Sequence, residues 1–314
     1  MIKHTHVIAI DWGTSHLKAH LCQVNDDLSL TAIGFKQGSG VSKVEDSFEQ
    51  ELSRCIFDWV GQYGKLPILM AGQIGSSIGW HQAPYLPCPA SASLLANDSL
   101  KFNFEHHQVY IVPGLSCQHH DGNQDVMRSE EIQILGWLES DSRHKVGEHL
   151  LCLPGTHTKW VLVQNGNITL FKSAMTGELF DILSNHSILI QDKSSQFNQR
   201  VFDKGARYTL QSNTGNFTHG LFTVRSKQLF SEITAQEAPA YLSGLLIGSD
   251  IRAAINADEW QFDTFAQVEI IGASHLADCY KSAFSIENVS ANVCSINELT
   301  VLGFSMIHQE LYGG

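Results

Sequence analysis

The sequence runs through one pattern of elements twice, and that repeat restricts the fold more than any other feature. Residues 7–33, VIAIDWGTSHLKAHLCQVNDDLSLTAI, read as an apolar strand, a Gly-Thr turn, an alternating strand, a polar turn and a third strand. Residues 150–171, LLCLPGTHTKWVLVQNGNITLF, read in the same order, with Asn165-Gly166 as a strong hairpin signal. Gly13-Thr14 and Gly155-Thr156 lie 142 residues apart (155 minus 13). A period this long implies two related domains and excludes a solenoid, whose units run to roughly 20–50 residues. A chain of 314 residues is also long for a single core. The copies differ in chemistry, because an acid, Asp11, precedes the first pair and Pro154 precedes the second.

A strand–turn–strand tipped with Gly and Thr can bring N–H groups and a hydroxyl up to a phosphate, since Gly has no Cβ to hold the ligand off. Asp11 beside the tip could hold Mg²⁺ through water. An ordinary β-hairpin explains the segment equally well. The formal charge of −12 argues against a nucleic-acid partner but leaves room for a small anion. No apolar run reaches the ~20 residues of a membrane span. MIKHTH lacks the apolar stretch of a signal peptide, so a cytoplasmic protein is expected. Seven cysteines without a CxxC, among them Cys22 and Cys152 in apolar strands, fit reduced core thiols. The pairs His106-His107 and His119-His120, the latter beside Asp121, do not make a metal site, because neighbours on a strand face opposite ways.

Along the chain, a third strand is expected over 28–35, a loop at Gly38-Ser39-Gly40 and a helix over 47–63. The strand at 67–71 runs into a glycine-rich loop, 72–80, that either holds backbone near a ligand or packs on its own domain. Residues 118–125 read as a polar loop. Ser129 is placed to cap a helix over 130–138, with Glu130 and Glu131 as ordinary first-turn acids. A helix is expected over 178–185, and 191–211 carries little pattern. The helix at 238–254 has Gly244 and Gly248 on one face, suited to close approach by a sheet or a ligand. A strand at 268–271, then Gly272-Ala273-Ser274 and a helix, make a weak nucleotide-cradling signal. A helix over 297–311 closes the chain.

With these turns in view, the chain resembles the actin/hexokinase/Hsp70 superfamily of ATP-binding proteins. AIDWGTSHLKAHL resembles its first phosphate motif, LPGTHTKWVLV its second and VEIIGASHLADCY its adenosine motif. The resemblance implies an α/β fold of two duplicated ribonuclease H-like (actin-like ATPase) domains. Each would have a mixed five-stranded sheet flanked by helices, with a cleft between the domains. Expected bounds are 1–145 and 146–296, with 297–314 packing back on the first domain. Five blocks in order, MAGQIGSSIGW, VMRSEE, LPGTHTKW, MTGEL and YLSGLLIG, are similar to those of 2-dehydro-3-deoxygalactonokinases. That likeness implies ATP-dependent phosphorylation of 2-dehydro-3-deoxy-D-galactonate to its 6-phosphate, in galactonate breakdown. Ser129 departs from the Gly expected in that family, a change expected to be mild.

The resemblance assigns Asp11 to Mg²⁺ and the phosphates through water. Gly13, Thr14, Ser15 and Lys18 would lie at the first phosphate turn, Gly155, Thr156 and Thr158 at the second. Gly272, Ala273 and Ser274 would lie by ribose and adenine. For the base, Glu130 ranks first, then Asp121, then Asp125. Arg128 would hold the substrate carboxylate through two parallel hydrogen bonds, or else pair with a neighbouring acid. Gln73, Ser76 and Trp80 would touch the sugar acid. Rival readings are a phosphatase of the exopolyphosphatase type, another sugar kinase of the same fold and an actin-like nucleotide switch. A homodimer is compatible with the sequence.

Overall fold

Alternating apolar residues build the first repeat into a meander: β1 (His6–Trp12), β2 (His16–Val24) and β3 (Leu30–Ser39). The computed structural model describes residues 4–192, 194, 197–211 and 217–313. Neighbouring antiparallel pairs join β1 to β2 and β2 to β3, in a register that sets Asp11 opposite Lys18. Helix α1 (Phe48–Tyr63) starts where Ser47 Oγ accepts from Gln50 N and ends at Gly64, whose φ is 71°. It lays Leu52, Cys55, Ile56 and Trp59 on the sheet. Then follow β4 (Ile68–Ala71), β5 (Tyr85–Pro87), α2 (Ala92–Asn97), β6 (Leu100–Phe104), β7 (His107–Ile111), β8 (Gly114–Gln118), β9 (Gln124–Met127) and α3 (Glu130–Ser140).

The second repeat supplies β10 (Glu148–Leu153), β11 (Thr158–Gln164) and β12 (Asn167–Ala174). Asn165 and Gly166 both take positive φ, 48° and 79°, as a two-residue hairpin turn requires. Next come α4 (Thr176–His186), α5 (Gln199–Leu210), α6 (Phe217–Leu229), α7 (Ala238–Ile255), β13 (Val268–Gly272), α8 (Ser274–Ile286), β14 (Ala291–Ser295) and α9 (Ile296–Tyr312).

The duplication is visible in strand order. One sheet runs β3-β2-β1-β4-β7-β6 and the other β12-β11-β10-β13-β14. In each, the first strand of the meander pairs in parallel with the next strand of the core, β1 with β4 and β10 with β13. The fold is therefore α/β, with two like-ordered, mixed, open sheets. The first has six strands where five were expected, because β6 pairs antiparallel with β7 at the edge. The chain divides into two compact units, Met1–Glu148 with Val163–Leu170 and Ile296–Gly314, and His149–Leu162 with Phe171–Ser295.

Several local expectations change. Gly38 and Ser39 belong to β3, paired with Leu17 and His16. The polar stretch 118–125 is the tip of a hairpin, β8–β9, in a separate three-stranded sheet with β5. Gly244 and Gly248 face neither sheet nor ligand. A Cβ at either would collide with the backbone of α5, and one at Gly205 of α5 would meet Tyr241 O. The unpatterned 191–211 thus hides a helix whose glycine lets it lie against α7; residues 193, 195 and 196 lie outside the described residues. Gly136 of α3 and Gly303 of α9 make a second backbone-to-backbone crossing, against Leu299 and Ile132. Among the described residues no helix is long and apolar enough to cross a membrane.

Candidate active site

Both Gly-Thr turns are braced by the same device. After β3 the chain crosses back over the first turn, where Val41 N donates to Gly13 O (3.0 Å). Ser42 donates to Thr14 O through N (3.1 Å) and Oγ (2.8 Å). Gly40 permits the crossing, since a Cβ there would collide with backbone atoms of residues 14–16. After β12 the chain repeats the move. Glu178 N donates to Thr156 O (2.9 Å), and Gly177 has no room for a Cβ against Gly155 O. The MTGEL block is thus the strap over the second turn, and His157 pairs with Glu178 across it.

Gly13 and Gly155 differ from these strap glycines. Neither takes a left-handed φ, and an added Cβ would meet nothing nearer than 3.7 Å at Gly13 or 4.0 Å at Gly155. Folding of the turns does not demand glycine there. What glycine leaves is open space over a backbone turn.

At the end of β1, Asp11 is enclosed on two sides. Gly72, with φ of 99°, closes over it so tightly that a Cβ would lie 2.7 Å from Trp12 O and 3.3 Å from Asp11 Oδ1. From α3, Ser129 Oγ donates to Asp11 Oδ1 at 2.7 Å. Burial pushes the Asp11 carboxyl up, opposed by the Ser129 hydroxyl and the Lys18 charge. Ser129 does not cap α3 with its side chain, as its position had suggested. Its φ of 99° turns the hydroxyl to Asp11, and the departure from Gly is not mild, because only Gly takes such a φ without strain. The acids do the capping instead. Glu131 accepts from Ser129 N with both oxygens (2.9 and 2.8 Å), and Glu130 Oε2 accepts from Arg128 N (3.1 Å). Glu131 is fully buried, and burial followed by the Glu130 charge pushes its carboxyl up to about 8.

Arg128 is 5% exposed. Its Nη2 donates to Ala83 O (2.8 Å) and Pro84 O (3.2 Å), and the guanidinium stacks on Tyr85 at 4.3 Å. Gly75 leaves room for Nη1, 2.8 Å from where a Cβ would stand. Nε and Nη1 are buried without a hydrogen-bond partner. In the glycine-rich loop, Ser76 Oγ donates to Gln73 O (2.7 Å). Trp80 Nε1 donates to Glu49 Oε1 (2.7 Å), with its ring edge-on to Phe102 and Phe104. Asp121 holds the β8–β9 tip by accepting from Asn123 N (3.0 Å) and Nδ2 (2.9 Å), seven residues before Arg128. Asp125 lies further down β9, with His119 Nε2 3.6 Å from its carboxylate.

Unit 2 contains a cavity of about 710 Å³, within the range of small-molecule sites. Gly155, Thr156 and Gly177 line one part; Pro239, Leu246 and Leu276 are among the apolar residues lining it. On its lining, His275 meets Phe197 edge-on at 5.0 Å. Gly272, Ala273 and Ser274, where β13 passes into α8, do not line it, whereas His275, Leu276 and Cys279 on α8 do. Behind it lies a buried network that the sequence offered no signal for. Asp250 accepts from Trp160 Nε1 (2.8 Å), Thr176 Oγ1 (2.8 Å) and Tyr280 OH. Burial pushes its carboxyl up and these bonds oppose the push. Tyr280 OH donates to Asp250 and lies 2.9 Å from Thr158 Oγ1, so Thr158 belongs to the same network. Thr158 also lines the cavity, beside Gly155 and Thr156.

The model of the 2-keto-3-deoxy-galactonokinase family matches residues 11–307. The chain is 33% identical over 279 residues to "2-dehydro-3-deoxygalactonokinase" of Escherichia coli (strain K12), covering 88% of each. It is 30% identical over 301 residues to "Probable 2-dehydro-3-deoxygalactonokinase DgoK1" of Rhizobium meliloti (strain 1021), covering 95% of this chain and 94% of the relative. A crystal structure of "a putative 2-dehydro-3-deoxygalactonokinase protein from Sinorhizobium meliloti" superposes with a TM-score of 0.86 at 28% identity, over 98% of this chain and 99% of that one.

Proposed function

The chain belongs to the 2-keto-3-deoxy-galactonokinase family, and from that premise we propose that it transfers the γ-phosphoryl group of ATP to the terminal hydroxyl of 2-dehydro-3-deoxy-D-galactonate. The observation that carries the nucleotide half is the unfilled space over Gly13 and Gly155, two glycines that their own turns do not need. Phosphoryl transfer depends on positioning and on donors aimed at the moving charge. Gly13, Thr14 and Ser15 of one turn and Gly155 and Thr156 of the other would each offer backbone N–H groups or hydroxyls to the terminal phosphates, and Lys18 a charge.

Asp11 suits a divalent cation. Its Oδ1 is engaged by Ser129, and among the described residues no hydrogen bond is made to Oδ2. Mg²⁺ keeps most of its waters and needs only one or two carboxylates. Asp11 would hold a bound Mg²⁺ through water, and that ion would neutralise charge on the phosphates. Glu130 is the favoured base. It starts α3 next to Ser129, the residue bonded to Asp11, and its Oε2 accepts from Arg128 N. Glu130 would then take the proton of the attacking hydroxyl. The unpartnered Nε and Nη1 of Arg128 support a role near the substrate carboxylate, and the Trp80 ring and Gln73 would offer a surface for the carbon chain. As a kinase of sugar-acid breakdown the protein would act in the cytoplasm.

An ADP-release assay against a panel of 2-keto-3-deoxy acids and aldonates tests the proposal. Preferential turnover of 2-dehydro-3-deoxy-D-galactonate is expected. Phosphate release from polyphosphate with no sugar acid present would refute it.

A further inference from the structure

We propose that Ser129 is a positioning residue for Asp11: its hydroxyl fixes Oδ1, so that the carboxylate is presented to the cation's water shell through Oδ2 alone. The proposal rests on the reading of Asp11 as the cation-side carboxylate. Three observations on Ser129 carry it. The 2.7 Å bond joins residues 118 positions apart, from the start of α3 to the end of β1. Ser129 holds a φ of 99°, which a residue with a Cβ adopts only under strain. The conformation is locked, since Ser129 N donates to both oxygens of buried Glu131. A Cβ at Gly72 would stand 3.3 Å from the same Oδ1, so glycine leaves that oxygen room. Asp11 is therefore held at one oxygen by a hydroxyl from a distant segment. A Gly at 129 would relieve the backbone and forfeit the grip, so strain and hydroxyl belong to one trade-off.

The two obvious substitutions separate structure from positioning. Ser129→Gly relieves the φ and loses the hydroxyl; Ser129→Ala keeps the strain and loses the hydroxyl. Mn²⁺ binding to the full chain in the presence of ADP, read by electron paramagnetic resonance, is the functional measurement. Both variants are expected to weaken it, roughly tenfold for a lost hydrogen bond to a charged group. Melting temperature should be about 2 °C higher for Ser129→Gly than for Ser129→Ala, since both lose the hydroxyl and only the former sheds the strain. If Ser129→Gly binds Mn²⁺ like the unsubstituted protein, or if binding follows stability across the variants, Ser129 is merely structural and the proposal is wrong. Failure of the unsubstituted protein to bind Mn²⁺ with ADP also overturns it. A urea double-mutant cycle of Ser129→Ala with Asp11→Asn reads the bond itself, and additive effects would overturn the proposal as well. Because none of these readouts uses sugar-acid turnover, a failed kinase assay with weakened Mn²⁺ binding would sink the substrate assignment and leave the role of Ser129 standing.

Discussion

Replacing Gly155 by Ala should make the protein slightly more stable and a worse binder of ATP. Chain neighbours aside, the protein atom nearest the added methyl is His157 O at 4.0 Å, and φ is outside the left-handed region, so the folded state accepts it without displacement. Removing a glycine also narrows the unfolded ensemble, worth about 0.4–1 kcal/mol. If the space is where a phosphate comes, the methyl costs about 1–3 kcal/mol of overpacking in the complex, or roughly 5- to 150-fold in Kd. Gly177→Ala is the contrast. Its methyl must push aside Gly155 O and the Thr156 Cα beneath the strap, so stability should fall by about 1–3 kcal/mol and ATP binding with it. Urea unfolding and calorimetric titration with ATP read the two quantities separately. Should Gly155→Ala destabilise as Gly177→Ala does, or bind ATP with unaltered Kd, the inference from open space to phosphate fails.

Glu130→Gln should lower kcat by on the order of 10² or more, and turnover near that of the unsubstituted enzyme would remove Glu130 as the base. Arg128→Ala strips the donors from Ala83 O and Pro84 O, so urea unfolding should show a loss of about 1–3 kcal/mol; unchanged stability would mean the guanidinium does not hold that loop. Glu131 sits at about 8 in the folded state against 4.5 for the free group, so the folded protein keeps a proton that the unfolded chain gives up between those values. Its stabilisation is complete below about pH 4.5 and is lost as pH rises through about 8, a slope that Glu131→Gln should abolish in unfolding midpoints measured across that window.

Much of this molecule could be read along the chain, because the information was local or periodic. Alternation in residues 16–24 and the apolar run WVLV in 158–164 mark strands whichever way they pack. Asn165-Gly166 has one common use between two strands, and the structure puts both in positive φ. The repeated Gly-Thr turn announced duplication, and like strand orders followed. Packing between distant segments left no such trace. Nothing in residues 199–210 says that Gly205 lies against Tyr241 O, nor does Gly244 say that its neighbour is α5 rather than a ligand. A glycine reports that something is close, and only the packed chain says what.

The site divides the same way. Residue types at the turns suggested a phosphate site, while the roles expected of Arg128 and Glu130 came from the family resemblance. Which atoms are already spent was decided by tertiary structure. Thr158 is bonded into a network around Asp250, 92 residues on, and Ser129 turns from helix cap to partner of Asp11, 118 residues back. Hydrogen bonds saturate, so a donor used across the fold is a donor withheld from the ligand. No linear pattern records that subtraction, because it exists only once the chain has brought both partners together.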